Sequence, residues 1–271
     1  MMPALPSQAT WPLERVIRRD RVWMALGLAG TTVLAWIYLV RAAESMRGMT
    51  LEAQMHAAMG MMDIHAWGAS DWLGLFAMWS VMMAGMMLPS AAPVILLVLG
   101  VYRRRNEPRA RVAAVTFVAG YLLAWGAFSA AASAGQVGLH RAALLGADMR
   151  LASVGLSGVI LLIAGVYQWL PIKNTCLTHC QSPFGYLSQY WREGAAGGLV
   201  MGLRHGGFCV GCCWALMTLL FVVGVMNLIW VAALAGVVLM EKLVGRGPAV
   251  SRVAGLAMGG WGVYVLVAAR A

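Results

Sequence analysis

Apolar stretches separated by short polar segments run through almost the whole chain. Each stretch is long enough, as a helix rising about 1.5 Å per residue, to cross a hydrocarbon core about 30 Å thick. Within lipid the stretches must be helical, because an isolated strand would leave its backbone groups unpaired. The pattern predicts an all-α, polytopic membrane helical bundle of about seven transmembrane helices, at residues 22–40, 72–101, 112–134, 151–170, 199–225, 227–244 and 250–269.

Lysine and arginine residues lie mostly in alternate connecting segments, and an excess of these residues marks the cytoplasmic loops of membrane proteins. With the N-terminus inside, the basic residues of segments 15–21, 103–111 and 242–252 all face the cytoplasm. We therefore expect a cytoplasmic N-terminal segment, residues 1–21, followed by a single transmembrane domain, residues 22–271. The first apolar stretch is longer than a signal-peptide core, so we expect it to remain as an anchor.

The composition supports a membrane protein. Hydrophobic residues make up 61% of the chain and charged residues 11%, whereas soluble domains have about 45–50% and about 25%. These proportions exclude a sizeable soluble domain, a disordered chain and a small disulfide-rich secreted domain. The net charge of +10 is typical of basic cytoplasmic loops, so the lipid bilayer is the expected partner and nucleic acid is not. The sequence does not indicate an oligomeric state.

Thiol and imidazole side chains are concentrated in one short part of the chain, which holds all five cysteines. The second group of these residues lies on a predicted helix, where residues three and four apart share a face. Thiolate and imidazole ligands together suit Cu(I), Zn(II) or iron–sulfur chemistry. The candidate metal ligands are Cys176, His179 and Cys180 in a predicted loop, and His205, Cys209, Cys212 and Cys213 on the fifth predicted helix.

Other interpretations of the cysteines stay open. Cys209 and Cys212 have the spacing of thiol–disulfide exchange motifs, which would make the protein a membrane oxidoreductase. A free cysteine is also a small hydrophobic residue, so packing in a non-catalytic assembly subunit is a further alternative. No nucleophile, base and orienting group can be recognised together, and an enzyme is therefore not the first expectation.

Methionines form a second soft-ligand cluster, on the second predicted helix. Met82, Met83 and Met86 lie there with Met78 and Met87 at helical spacing. Methionine in a membrane helix is more often adaptable packing than a ligand. Counted from the two ends of the membrane, however, this cluster and the cysteines can lie at the same depth. Thioethers bind Cu(I) and not zinc, so a shared site predicts copper, whereas zinc is as consistent if only the cysteines and histidines bind.

The segment after the first predicted helix carries a third group of soft ligands, expected on the outer side. It is consistent with a copper capture site or with an amphipathic helix lying in the headgroups. The residues are Met46, Met49, Met55, His56, Met59, Met61, Met62 and His65.

Glycines recur at intervals of four on the fifth predicted helix, at Gly198, Gly202 and Gly206. Small residues at this spacing allow two membrane helices to approach closely. We expect the neighbour to be the second predicted helix, which would place the methionines beside the cysteines. Glu241, beside Lys242, is expected to be an ion-paired helix terminus.

Three segments resemble a prokaryotic family of predicted metal-binding integral membrane proteins. They are Met-Met-Leu-Pro-Ser-Ala-Ala-Pro at 86–93, the stretch 167–183 with its Cys-x-x-x-Cys, and His-Gly-Gly-Phe-Cys-Val-Gly-Cys-Cys-Trp at 205–214. The resemblance covers the chain from about residue 70 onward. The family includes a membrane copper chaperone that serves a bacterial tyrosinase. Membership implies copper handling and delivery to a periplasmic cuproenzyme. Together with the ligand types, it leads us to expect a Cu(I)-binding protein of the prokaryotic cytoplasmic membrane.

Overall fold

A computed structural model describes residues 11–58, 69–146, 149–245 and 247–269. The described residues form helices without an extended strand, which confirms the expected all-α class. The helices are α1 (Trp11–Ala58), α2 (Ala69–Arg104), α3 (Ala110–Arg141), α4 (Val154–Tyr167), α5 (Pro171–Gln181), α6 (Pro183–Tyr190), α7 (Gly194–Thr218), α8 (Leu220–Val223), α9 (Leu228–Leu243) and α10 (Gly247–Ala268).

Five segments of the described chain are helices long and apolar enough to cross a membrane, and a bent pair supplies a sixth. The predicted span at 227–244 corresponds to α9, whose 16 residues give only about 24 Å of helix. The number of seven spans and the cytoplasmic N-terminus stay predictions. The segments are Arg18–Gly48, Ser70–Arg104, Ala110–Arg141, Gly194–Val223 and Gly247–Ala268, with Val154–Tyr167 and Pro171–Gln181 as the pair, bent by 63°.

The predicted loop that carries Cys176, His179 and Cys180 is in fact helical, so this part of the prediction is wrong. Pro171 and Pro183 each open a helix, at a position where the missing N–H costs nothing. The side chain of Ser182 caps α6 by accepting a hydrogen bond from the backbone N–H of Gly185, at 3.3 Å. The polar residues of α5 concealed the helix, because only apolar runs were taken as helical.

The glycine line of α7 packs closely against α3. A Cβ atom at Gly198 or Gly202 would overlap a backbone oxygen of α3, and one at Gly206 would lie 2.6 Å from Cβ of Ala124. The expected close approach is therefore confirmed, but the neighbour is α3 and not α2. Helix α3 can approach α7 closely because it carries a glycine of its own at the contact. Gly120 has no side chain and lies directly against the backbone of Leu199.

The paired contacts show that α3 and α7 run parallel, while α2 runs antiparallel to both. Ala113 lies beside Gly198 and Phe117 beside Gly202, so the numbers rise together along the two helices. The far end of α2 meets the start of α7, where the hydroxyl of Tyr102 donates to the backbone oxygen of Arg192 at 2.8 Å. This arrangement brings the middle of α7 to the depth of the second half of α2.

The second close helix pair is α4 with α10, where Gly165 faces Gly255 and Gly259. At the end of α4, the hydroxyl of Tyr167 donates to the backbone oxygen of Gly211 on α7. The chain then bends at Pro171 and α5 crosses the face of α7. Helix α5 is thus positioned by α4, which precedes it, and by α7, on which it packs. Its cysteines therefore lie beside those of α7.

Candidate metal centre

Four of the five cysteines meet where α5 crosses α7. Cys180 of α5 lies within hydrogen-bonding reach of the thiols of Cys209 and Cys212, and Cys213 adjoins the same group. All four side chains are buried, and all five cysteines are free thiols. The structure therefore joins at least one cysteine of the α5 segment to the cysteines of α7.

The turn of α7 that follows Cys209 keeps the sulfur atoms close together. The thiol of Cys212 donates to the backbone oxygen of Cys209 at 3.1 Å, and the thiol of Cys213 donates to the same oxygen at 2.9 Å. Both side chains are thereby turned back toward Cys209. Residues three and four apart on one helix face thus provide the thiol cluster, as the spacing predicts.

The sulfur of Cys209 is contacted from α3 and α9 and is linked through them to α2. Its sulfur lies 3.0 Å from the hydroxyl of Tyr121 on α3 and 2.9 Å from the ammonium nitrogen of Lys242 on α9. The same ammonium donates to the hydroxyl of Ser90 on α2 at 3.0 Å. Tyr121 also donates to the backbone oxygen of Met87 at 3.2 Å. One sulfur atom is therefore the meeting point of α2, α3, α7 and α9.

A buried ion pair beside the cluster fixes α5 in place. The ammonium of Lys173 lies 2.6 Å from a carboxylate oxygen of Glu241 on α9, and both side chains are inaccessible to solvent. That carboxylate also accepts a hydrogen bond from Ser251 on α10 at 2.8 Å, and Gln168 is a second partner of Lys173. Glu241 is thus ion-paired, as expected, but with Lys173 rather than with its neighbour in sequence.

His205 occupies an aromatic pocket one turn before Cys209. The rings of Phe117, Tyr121 and Tyr186 lie 5.9, 6.0 and 4.9 Å from its own. Its Nδ1 atom is buried and has no hydrogen-bond partner among the described residues. A buried imidazole nitrogen without a partner is unfavourable unless something else occupies its lone pair or proton. This atom is therefore the imidazole donor that is most clearly free to bind a ligand.

Burial raises the pKa of Tyr186, which stands outside the membrane-spanning segments. Its hydroxyl therefore remains protonated and donates to the backbone oxygen of Met201 at 2.5 Å. This bond ties α6 to α7 and holds the aromatic wall against His205.

His179 lies on the partly exposed side of α5. Its Nδ1 atom is 2.9 Å from the backbone oxygen of Thr175, which can only accept, so Nδ1 donates and Nε2 carries the lone pair of the neutral ring. The ring stacks on Phe208 of α7, with centroids 4.2 Å apart. A carbonyl bond of this kind is the usual orienting contact of a metal-binding histidine.

The methionines of α2 are buried in the core of the helical bundle. Met82, Met83 and Met86 are 0–2% exposed, and α2 reaches Cys209 through the main chain of Met87 and the hydroxyl of Ser90. The expected common depth of the two clusters is therefore consistent with the structure. Coordination by the three thioethers stays a prediction.

The predicted outer capture segment falls largely outside the described part of the chain. Met59, Met61, Met62 and His65 are not among the described residues, and the side chains of Met49, Met55 and His56 are likewise not described. Of this group only the side chain of Met46 is described, half-buried near the end of α1.

The thiol cluster is not arranged as a finished polyhedral metal site. Within the four described ranges, no three histidine, cysteine or acidic side chains stand in a geometry that would hold a metal ion. The sulfur atoms of Cys180 and Cys212 instead lie within hydrogen-bonding reach of Cys209. Such a group of soft donors suits a soft transition-metal ion.

Three residues of the site were not predicted from the sequence, and only one of them carried a signal. Lys242 carried a signal, because a charged residue within an apolar segment usually has a functional partner. Ser90 lies in the Pro-Ser-Ala-Ala-Pro motif but has no chemistry of its own that indicates a site. Tyr121 gave no signal, since an aromatic residue in an apolar helix is ordinary.

Comparison with known proteins places these residues within one family. A family model described as PpoB2, copper chaperone, matches residues 76–265, which include α7 and all of the cysteines. No curated protein and no solved structure matches the chain.

Proposed function

We propose that this chain, which belongs to the PpoB2 copper chaperone family, carries copper as Cu(I) on the thiols gathered at the crossing of α5 and α7. Copper is the cargo of this site. One observation carries the proposal: the thiols of Cys212 and Cys213 both turn back to the backbone oxygen of Cys209, whose own sulfur lies 2.9 Å from a buried ammonium. One of Cys180, Cys212 and Cys213 supplies the second thiolate, and His205 supplies a further donor.

Charge balance supports a monovalent ion. Two thiolates and one Cu(I) carry a net charge of −1, which the ammonium of Lys242 neutralises within the apolar interior. An unbalanced buried charge is strongly unfavourable, so a cluster with its own counter-charge is suited to this complex. Zinc prefers four ligands in a tetrahedron, and the described residues do not offer three in place.

Burial of the cluster supports storage of copper rather than catalysis. Cys209, Cys212 and Cys213 are 0–1% exposed, so a bound ion would be kept from water and from oxidants. A disulfide exchange enzyme instead needs a thiolate that an incoming disulfide can reach. The thioethers of Met82, Met83 and Met86 are proposed as neutral soft donors that the ion meets on the α2 side.

Membrane topology gives the proposal its direction. The long apolar helices are compatible with a membrane protein. We place the chain in the prokaryotic cytoplasmic membrane with its N-terminus inside, and we place the client, a cuproenzyme, in the periplasm. Both statements extend the family description, which names a copper chaperone and no location.

Elemental analysis of the purified protein tests the proposal. The metal-free full chain, loaded anaerobically with Cu(I), is expected to retain about one copper per chain after removal of free metal, and X-ray absorption should show sulfur ligands. The double variant Cys209→Ser with Cys212→Ser is expected to retain none. Ala215→Ser, which adds a hydroxyl to a buried position of α7, is the matched control and should load like the wild type. Retention of zinc alone, or of no metal, would refute the proposal.

A further inference from the structure

Cys176 differs from the other four cysteines in its surroundings. Cys180, Cys209, Cys212 and Cys213 are buried, whereas Cys176 is only half-buried. Burial protects a metal held by the four, but it also separates that metal from any carrier outside the protein. A thiol at the edge of the cluster is a position where a carrier outside the protein can contact the metal.

Cys176 adjoins the buried cluster through a gap left by a glycine. A Cβ atom at Gly211 would lie 2.9 Å from the sulfur of Cys176, so the thiol rests against the bare backbone of α7. The next residue of α7 is Cys212, whose thiol belongs to the buried cluster. The edge thiol therefore lies against the turn of α7 that carries the cluster.

The outer face of α5 carries polar side chains. Thr175 and Thr178 are exposed there, and their hydroxyls donate to Pro171 and Asn174 of their own helix at 3.0 and 2.8 Å. Helix α5 also begins at the 63° bend that follows α4. The exposed face of α5 therefore presents hydroxyls as well as the apolar side chain of Ile172. Cys176 stands on this partly exposed helix, and its own half-buried thiol can be approached from outside the cluster.

We infer that Cys176 is the exchange thiol of this protein, through which Cu(I) passes between the buried cluster and an external thiolate carrier. This inference rests on the proposed function. Cys176 releases its proton to solvent and forms a Cu–S bond, while the bond to the carrier breaks and the carrier thiolate takes up a proton. Cys212 then loses its proton and binds the ion, and Cys176 is protonated again. Copper remains Cu(I) throughout, so no electrons are exchanged.

The rate of loading distinguishes an exchange thiol from a resident ligand. Metal-free protein is mixed anaerobically with the Cu(I)–glutathione complex, and copper uptake is followed in time and at completion. Cys176→Ser is expected to slow uptake at least tenfold and to leave the final copper content unchanged. Thr178→Ser, on the exposed side of the same helix, is the matched control and should load at the wild-type rate.

A second variant tests the route without removing a sulfur atom. Gly211→Ala places a methyl group against Cys176 and should also slow uptake, whereas Gly207→Ala, which meets no atom within 4 Å, should not. In the metal-free wild type, a water-soluble maleimide should modify Cys176 before any other cysteine. The order of modification is read by mass spectrometry and requires no variant.

The outcomes separate the exchange role of Cys176 from the proposed function. Uptake by Cys176→Ser at the wild-type rate would overturn the exchange role, and so would first modification of a buried cysteine. Loss of copper capacity in Cys176→Ser would make it a resident ligand, which overturns the exchange role and leaves the proposed function standing. A wild-type protein that retains no copper would instead refute the proposed function itself.

Discussion

The ammonium nitrogen of Lys242 lies 2.9 Å from the sulfur of Cys209, and both side chains are buried. The two residues come from helices α9 and α7, 33 positions apart in the chain. An ammonium buried without a partner is unfavourable, and the sulfur of Cys209 is one of its partners here. Around this pair the chain gathers its remaining thiols, one hydroxyl of α2 and one of α3.

Removing the cation is expected to weaken copper binding. Lys242→Met keeps the apolar part of the side chain but leaves an anionic copper–thiolate complex without its counter-charge. We expect the Cu(I) affinity to fall about 10–100-fold, as for other groups that support metal ligands. Competition with a chelator such as bathocuproine disulfonate measures the affinity. Leu243→Met, at the exposed neighbouring position, is the control, and equal affinity in Lys242→Met would contradict the counter-charge role.

Removing one partner of the buried ion pair between Lys173 and Glu241 is expected to destabilise the protein strongly, whereas removing both partners together is not. Lys173→Met or Glu241→Gln should each lower the free energy of unfolding by about 3–5 kcal/mol, because each leaves the charge of the remaining partner buried without a counter-charge. The double variant should lose much less than the sum of the two. Thermal unfolding in detergent, followed by circular dichroism, measures the change. Additive losses would show that the two side chains act independently.

Close packing of α7 on α3 should depend on single glycines. Gly202→Ala places a Cβ atom against the backbone of Phe117, so the two helices must separate. We expect a loss of at least about 2 kcal/mol of stability together with a loss of copper, since α3 also supplies Tyr121. Gly207→Ala meets no neighbouring atom and should be neutral or stabilising by about 0.5–1 kcal/mol. A folded, copper-loaded Gly202→Ala protein would be evidence against this packing.

The methionines of α2 allow a test of thioether coordination. Leucine has nearly the volume of methionine, and such exchanges usually cost less than about 1.5 kcal/mol each. The triple variant Met82→Leu, Met83→Leu, Met86→Leu should therefore fold, and its Cu(I) affinity should fall if thioethers contact the ion. We expect the fall, and extended X-ray absorption should show fewer sulfur neighbours of copper. An unchanged spectrum and affinity would assign the three residues to packing alone.

Local patterns in the sequence predicted much of the fold and part of the site. Apolar runs identify α2, α3, α7 and α10, and helical spacing places His205, Cys209, Cys212 and Cys213 on one face. Both inferences use distances within one helix, which the geometry of the helix fixes. The soft-ligand chemistry follows from the residue types and did not need a structure.

Relationships between helices could not be predicted in the same way. Glycine spacing predicts that α7 has a close neighbour, but the identity of the neighbour depends on Gly120 of α3, which no periodicity within α7 reveals. The helical form of α5 was missed because its sequence is polar, and the hydrophobic pattern reports only the part of a helix that contacts lipid or core. For the same reason, the contacts of Tyr121 and Lys242 with Cys209 are known only from the structure.

The ion pair between Lys173 and Glu241 also constrains how the protein is made. Helix α5 leaves the ribosome well before α9, and its lysine then has no carboxylate to neutralise it. Until α9 arrives, that charge must stay at the aqueous surface, since an isolated ammonium is costly in hydrocarbon. The α5 segment is therefore expected to settle into its final position late in biogenesis, as the C-terminal helices enter the membrane. The thiol cluster, which includes Cys180 of α5, is completed only at that step.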